Sequence, residues 1–219
     1  MHKNKPIKYQ DYVIKDGELV GDWEGLYRNI ADPWHQSRYD QLFDSRRIIT
    51  LNWCNMLRQL FNANRVIELG CGFGHLTSSL QKNNFTALGV DISQTAIEKA
   101  KELSPDSDFF ECAFNDFEIL NKFDADIYLM AEITWYVLED LDAFIENLKE
   151  QRKRRGKAIF LIHLLTTYQP GFQKYGTEKF TNLEEILQYF KFDYLEAGFI
   201  RTKREEDDSS QGTYFIGKI

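Results

Sequence analysis

Arg65-Val66-Ile67-Glu68-Leu69-Gly70-Cys71-Gly72-Phe73-Gly74-His75-Leu76 is the stretch from which the fold is read. Val66, Ile67 and Leu69 make a short apolar run, Gly70, Gly72 and Gly74 alternate after it, and Leu76, Thr77 and Leu80 then begin a helical spacing. The segment predicts a buried strand, a tight glycine turn and a helix. Alternating glycines let the backbone turn sharply and let a ligand lie against bare main chain. The start of the helix adds free N–H groups and the positive end of a dipole.

The spacing narrows the ligand. A dinucleotide turn, G-x-G-x-x-G, places its third glycine where helix packs on strand. Here that position is His75, and Gly74 comes one residue early. Glu68 stands at the strand end, where a carboxylate repels a pyrophosphate. These features favour an adenosine ligand with a positive centre over one with phosphates. The next strand, Thr86-Ala87-Leu88-Gly89-Val90-Asp91, ends in an acid that can accept both hydroxyls of a ribose.

Glu68-Leu69-Gly70-Cys71-Gly72-Phe73-Gly74 followed by Gly89-Val90-Asp91-Ile92-Ser93 resembles the class I S-adenosylmethionine (SAM) methyltransferases. The resemblance covers roughly residues 30 to 219. It implies a Rossmann-like, doubly wound, mostly parallel seven-stranded sheet with an antiparallel C-terminal strand. It also implies SAM as the cofactor, held by Glu68, Gly70, Cys71, Gly72, Gly74, Asp91 and Ile92. Two alternatives stand beside it: an NAD-type oxidoreductase, which His75 disfavours, and a SAM-binding module without turnover.

Composition fits one α/β domain. At 219 residues the chain is long enough for a sizeable core. A net charge of −7 argues against non-specific nucleic-acid binding, which needs a basic face. Cys54, Cys71 and Cys112 are odd in number and never spaced C-x-x-C, so neither a disulfide framework nor a zinc site is indicated. The first residues are polar, with no signal-type apolar core, and no stretch has the length and apolarity of a membrane span. A reducing, cytoplasmic setting, no membrane and no metal are the expectations.

Residues 1–40 are read as an N-terminal aromatic arm or lid, and 41–219 as the methyltransferase domain. Tyr9, Tyr12, Trp23, Tyr27, Trp34 and Tyr39 make the arm too aromatic for a disordered tail. It is read either as a lid over the ligand or as a segment packed on the surface. Pro33 holds Asp32 extended and so presents Trp34 at a fixed angle. Asp32-Pro33-Trp34, then Tyr39 and the pair Arg46-Arg47, resemble the nodulation N-methyltransferase group. That resemblance implies that Trp34 and a basic residue close over the methionine end of SAM. Either arginine can serve, and Arg47 is the one expected to pair with the SAM carboxylate.

Further elements follow in order. Asp44 to Phe61 is an amphipathic helix. Thr95-x-x-Glu98 and Thr181-x-x-Glu184 read as capping boxes. Asp108 to Cys112 is a third strand. The resemblance implies that the turn after it binds adenine, with Asn115 or Asp116 as the polar partner and Phe114 or Phe117 as the stacking one. Phe123 to Ala131 is a fourth strand, and Ala131 and Glu132 at its end fall where doubly wound sheets bind ligands. Alanine 158 to Ile162 is a fifth strand, with His163 directly after it. Residues 166–179 are read as a long polar aromatic loop over the acceptor, and the C-terminus as a hairpin with a charged tip at 204–212.

The expected chemistry is in-line displacement at the SAM methyl carbon by an amine or hydroxyl of a small molecule, with an amino sugar or glycan precursor as the example. A hydroxyl needs a base. Glu132, His163 and His35 are the candidates.

Overall fold

The structure is a computed structural model that describes residues 8–34, 44–168, 175–200 and 210–219. The chain begins with a two-stranded hairpin, β1 (Ile14–Lys15) and β2 (Glu18–Leu19), and a short helix, α1 (Trp23–Asn29). After α2 (Asp44–Phe61), strands and helices alternate: β3 (Arg65–Leu69), α3 (His75–Lys82), β4 (Thr86–Asp91), α4 (Gln94–Leu103), β5 (Asp108–Glu111), α5 (Phe117–Lys122) and β6 (Ile127–Ala131). The last elements are α6 (Leu141–Arg155), β7 (Phe160–Tyr168), α7 (Leu183–Phe190), β8 (Asp193–Ile200) and β9 (Ser210–Lys218).

Seven strands form one sheet in the order β5-β4-β3-β6-β7-β9-β8. The first five are parallel, and β9 runs antiparallel between β7 and β8. The order reverses between β3 and β6, so both halves of the sheet send their C-terminal ends to one crevice.

Alternation along each strand divides the core into two layers. Ile67, Leu69, Tyr128, Met130, Leu161 and Leu165 face α5, α6 and α7, meeting Leu120, Phe144, Leu148, Ile186 and Phe190. Val66, Ala87, Ile127, Leu129, Ile162 and Leu164 face the other way, onto Trp53 and Leu57 of α2 and Leu76 and Leu80 of α3. The continuous apolar runs of β3 and β6 are thus buried on both sides, as parallel strands between helices must be.

Several local expectations shift. The fourth strand begins at Ile127, because Asp126 turns its carboxylate to the amides of Asn64 and Arg65 at the start of β3. The fifth strand runs on to Tyr168, paired residue by residue with β9, so Thr166, Thr167 and Tyr168 are sheet and not loop. The cap of α4 is Ser93, whose hydroxyl accepts from the Ala96 amide, and not Thr95. The cap of α7 is Asn182, one residue after the expected Thr181. Residues 35–43, 169–174 and most of the expected hairpin tip lie outside the described residues, and so does His35.

Candidate active site

A cleft of about 630 Å³ opens at the C-terminal ends of β3, β4 and β6. Leu69, Gly70 and Cys71 form its floor. Gly70 has φ +67, and a Cβ there would lie 2.5 Å from Ile133 Cγ2, so this turn accepts no side chain. The Cys71 amide donates to Val90 O, which stitches the turn to β4.

Asp91 and Glu68 supply the buried charge. Asp91 accepts from the Gly72 amide at 2.9 Å and the Ser93 amide at 3.0 Å. Burial raises its pKa, and those amides oppose the rise. Glu68 accepts from the Thr77 amide at 2.8 Å and from the Thr77 hydroxyl, so an acid on β3 satisfies an orphan donor in the first turn of α3. Burial lifts Glu68 to about 7 against those bonds and the nearby Arg47, which pull it down. His75, also at the cleft, is pushed below its ordinary value by burial and then by Arg47. Arg47 is therefore close to both groups.

The expected residues divide. Trp34, Arg47, Glu68, Gly70, Cys71, Asp91, Ile92, Asn115, Ala131 and Glu132 all line the cleft, and Phe114 joins them. Gly72 and Gly74 are not lining residues. Gly72 offers its amide to Asp91 from behind. Gly74 is the left-handed N-cap of α3, where a Cβ would lie 2.2 Å from the Phe109 ring. Asp116 caps α5 by accepting from the Ile119 amide, and Phe117 packs towards Phe144. At the turn after β5, Phe114 and Asn115 line the cleft, whereas Asp116 and Phe117 do not.

Both described base candidates are constrained. His163 lies within β7, not after it. Its side chain points away from the cleft, is 0 % exposed, stacks on Phe215 at 4.7 Å and shares a 2.7 Å hydrogen bond with Thr134 Oγ1. Burial drives its pKa down to about 3, so it is a neutral core residue. Glu132 sits at the cleft with φ 61, but its carboxylate accepts from the Thr166 amide at 2.8 Å and the Thr166 hydroxyl at 3.1 Å, and pairs with Arg46. It fixes Arg46 and β7 rather than standing ready to take a proton.

Thr50, which the sequence did not single out, joins residues of the arm, of the Arg46-Arg47 pair and of β7 to complete the site. Arg46 and Thr50 of α2 and Thr166 and Tyr168 of β7 form one wall. Tyr9, Trp23, Tyr27 and Trp34 form another. Trp23 packs on Tyr136 at 4.8 Å, Trp34 on Tyr136 at 5.9 Å and Tyr9 on Trp34 at 6.1 Å. Trp34 Nε1 donates to the Tyr27 hydroxyl at 3.0 Å. The aromatic content of the arm was the available signal, but which rings meet was not legible without the fold.

Residues 66–156 match the family model described as a methyltransferase domain. That segment runs from β3 through α6 and holds the glycine turn, Asp91 and the β6 end. This stretch of the chain is thus similar to the methyltransferase domain that the model describes. A protein of Geobacillus sp. (strain WCH70) bearing a methyltransferase name is 27% identical over 133 residues, which is 58% of this chain and 52% of that protein. The chain spans about half the length of the first curated relatives it matches. Among solved structures, magnesium protoporphyrin IX methyltransferase from Synechocystis PCC 6803 with bound SAM aligns with a TM-score of 0.52 at 16% identity, covering 79% of this chain and 78% of that one. The methyltransferase domain of a bacterial protein, CtHen1, aligns with a TM-score of 0.54 at 21% identity, covering 80% and 99%. The fold is that of the SAM-dependent methyltransferases. Among the described residues no helix is long and apolar enough to cross a membrane, and no group of His, Cys, Asp and Glu has the arrangement of a metal site.

Proposed function

We propose that this chain binds SAM in the cleft and transfers its methyl group to an amine or hydroxyl of a small molecule. The observation that carries the reading is the meeting, in one cleft, of a bare glycine turn with Asp91, Glu68 and Arg47. Asp91 suits the ribose hydroxyls, Ile92 and Phe114 the adenine faces, and Asn115 an adenine edge. Arg47 suits the methionine carboxylate, and Trp34 closes over that end. Four carboxylates (Glu68, Asp91, Glu132, Asp140) against two guanidiniums (Arg46, Arg47) favour a ligand with a sulfonium.

The chain's own contribution to the reaction is alignment. Holding the acceptor in line with the methyl carbon can be worth about 7–11 kcal/mol. The acceptor lone pair forms the new bond, and the electrons of the carbon–sulfur bond return to sulfur. A neutral amine does this unaided. A hydroxyl must lose its proton, and Glu132 is engaged with Arg46 and Thr166 while burial raises the pKa of Tyr136 and Tyr168. The site therefore favours an amine. The Asp32-Pro33-Trp34 element extends the proposal to an amino sugar or glycan precursor of the nodulation N-methyltransferase type. The division into a 1–40 arm and a 41–219 domain, and a cytoplasmic setting, belong to the same proposal.

Thermal shift with SAM, S-adenosylhomocysteine (SAH) and NAD(H) in parallel tests it. A ligand at a hundred times its Kd adds about 2.7 kcal/mol of stability. Shifts with SAM and SAH and none with NAD(H) are expected. A shift with NAD(H) alone overturns the reading.

A further inference from the structure

Helix α1 has seven residues, too few to be stable by its own hydrogen bonds, so tertiary contacts must hold it. Those contacts converge on the N-terminal end of α4. Glu24 accepts from the Ser93 hydroxyl at 2.6 Å, the Thr95 amide at 3.2 Å and the Thr95 hydroxyl at 2.6 Å. The Ser93 and Thr95 hydrogen bonds hold its pKa down at about 2 against the effect of burial, so it stays ionised at working pH. Arg28, one turn on, pairs with it at 2.8 Å. From α4, Lys99 Nζ donates to Tyr27 O at 3.0 Å. Ser93 and Thr95 are far from Glu24 in sequence.

Ser93 joins this clasp to the ligand site. Its amide donates to Asp91 Oδ1, its hydroxyl donates to Glu24, and the same hydroxyl oxygen accepts from the Ala96 amide. The carboxylate assigned to the ribose is thus two hydrogen bonds from the acid on α1. The adjoining face of α1 carries Trp23 and Tyr27 into the cleft wall. The chain leading into α1 turns through Asp16 (φ 55), Gly17 (φ 90) and Gly21 (φ 70), conformations suited to a bend.

We infer that Glu24 is a positioning residue for the cofactor: by anchoring α1 to Ser93 and Thr95 it sets Tyr27 and Trp23 over the cleft and orders the Asp91 loop from its outer side. The inference rests on the proposed SAM site.

The test measures SAH binding by titration calorimetry and stopped-flow release, with amide hydrogen exchange across Trp23–Asn29, in wild type, Glu24→Ala, Glu24→Gln and Lys99→Ala. For Glu24→Ala, SAH Kd is expected to rise about tenfold, mainly through faster release, the loss expected for charge-assisted bonds. Exchange in α1 should quicken while exchange in β3 and β6 stays as in wild type, which separates loosening from unfolding. Glu24→Gln keeps an acceptor oxygen and should recover part of both effects. Lys99→Ala cuts a second tether without touching Ser93, and should quicken α1 exchange with a smaller change in Kd. Unchanged Kd and unchanged α1 exchange in Glu24→Ala overturn the inference. Faster α1 exchange with unchanged Kd also overturns it, since the clasp would then be structural only. Failure of the wild-type protein to bind SAH is seen before any variant is made, and overturns the underlying site assignment.

Discussion

At the scale of single residues, two buried titratable groups sit on opposite sides of the same sheet and respond to pH in opposite senses. His163 titrates near 3 in the fold, below the ordinary histidine value of about 6.5. The unfolded chain takes up the proton first, so the stability this residue contributes is full above about 6.5 and is lost as pH falls towards 3. Urea melts between pH 4 and 7 should show wild type losing stability on acidification relative to His163→Gln, which lacks that limb. Glu68 is raised to about 7, so the folded state holds its proton longer than the unfolded chain, and its contribution falls as pH rises through 7. A bound sulfonium reverses that preference by favouring the carboxylate. The ratio of SAH Kd to SAM Kd should therefore increase as pH rises through about 7, and Glu68→Gln should flatten it. Asp91→Ala should weaken SAH binding by about 1.5–3 kcal/mol, the loss of charged hydrogen bonds, measured by calorimetry. An unchanged affinity would remove Asp91 from the ribose.

At the scale of elements, the turn between β3 and α3 does two jobs with different glycines. Gly70 keeps the floor of the cleft bare, while Gly74 lets α3 start against Phe109. Gly74→Ala combines a left-handed backbone, costing about 1–2 kcal/mol, with a methyl pressed into a ring. A fall in Tm of at least about 4 °C is expected. Adding Phe109→Leu should restore part of it by relieving the clash, but not the part due to φ. The sequence showed that this turn exists and where it lies. It did not show that only one face of it lines the cleft, because alternate glycines point to opposite sides of a bend whose direction depends on β4 and β5.

At the scale of the whole molecule, function and stability occupy opposite ends of the sheet. The cleft lies at the C-terminal ends of the parallel strands. At the N-terminal ends Arg155, 5 % exposed, pairs with Asp124 and Asp126, and Asp126 also binds Lys157 and the amides of Asn64 and Arg65. The basic run Arg152-Lys153-Arg154-Arg155 thus contains a structural ion pair beside residues of an ordinary helix end. Removing one partner of a buried pair typically costs about 3–5 kcal/mol. Arg155→Met should lower stability towards that range in chemical denaturation, while SAH Kd stays within twofold of wild type. A large change in SAH affinity would mean that the two ends are coupled.

The sequence by itself determined the elements whose cause is local. The period of apolar residues set α2 from Asp44 to Phe61, the run Val66–Leu69 set β3, and the glycine spacing with Glu68 and Asp91 pointed to a nucleoside with a positive centre. Each depends on neighbours a few residues apart, which a linear reading can count. Tertiary structure decided what depends on distant partners. It turned His163 into the core, bound Glu132 to Arg46 and Thr166, and set Glu24 on Ser93 and Thr95, some seventy residues away. A carboxylate or imidazole carries the same chemistry in every context. Whether it meets a ligand, a helix end or an arginine is set by which strands lie side by side, and that order is a property of the assembled sheet.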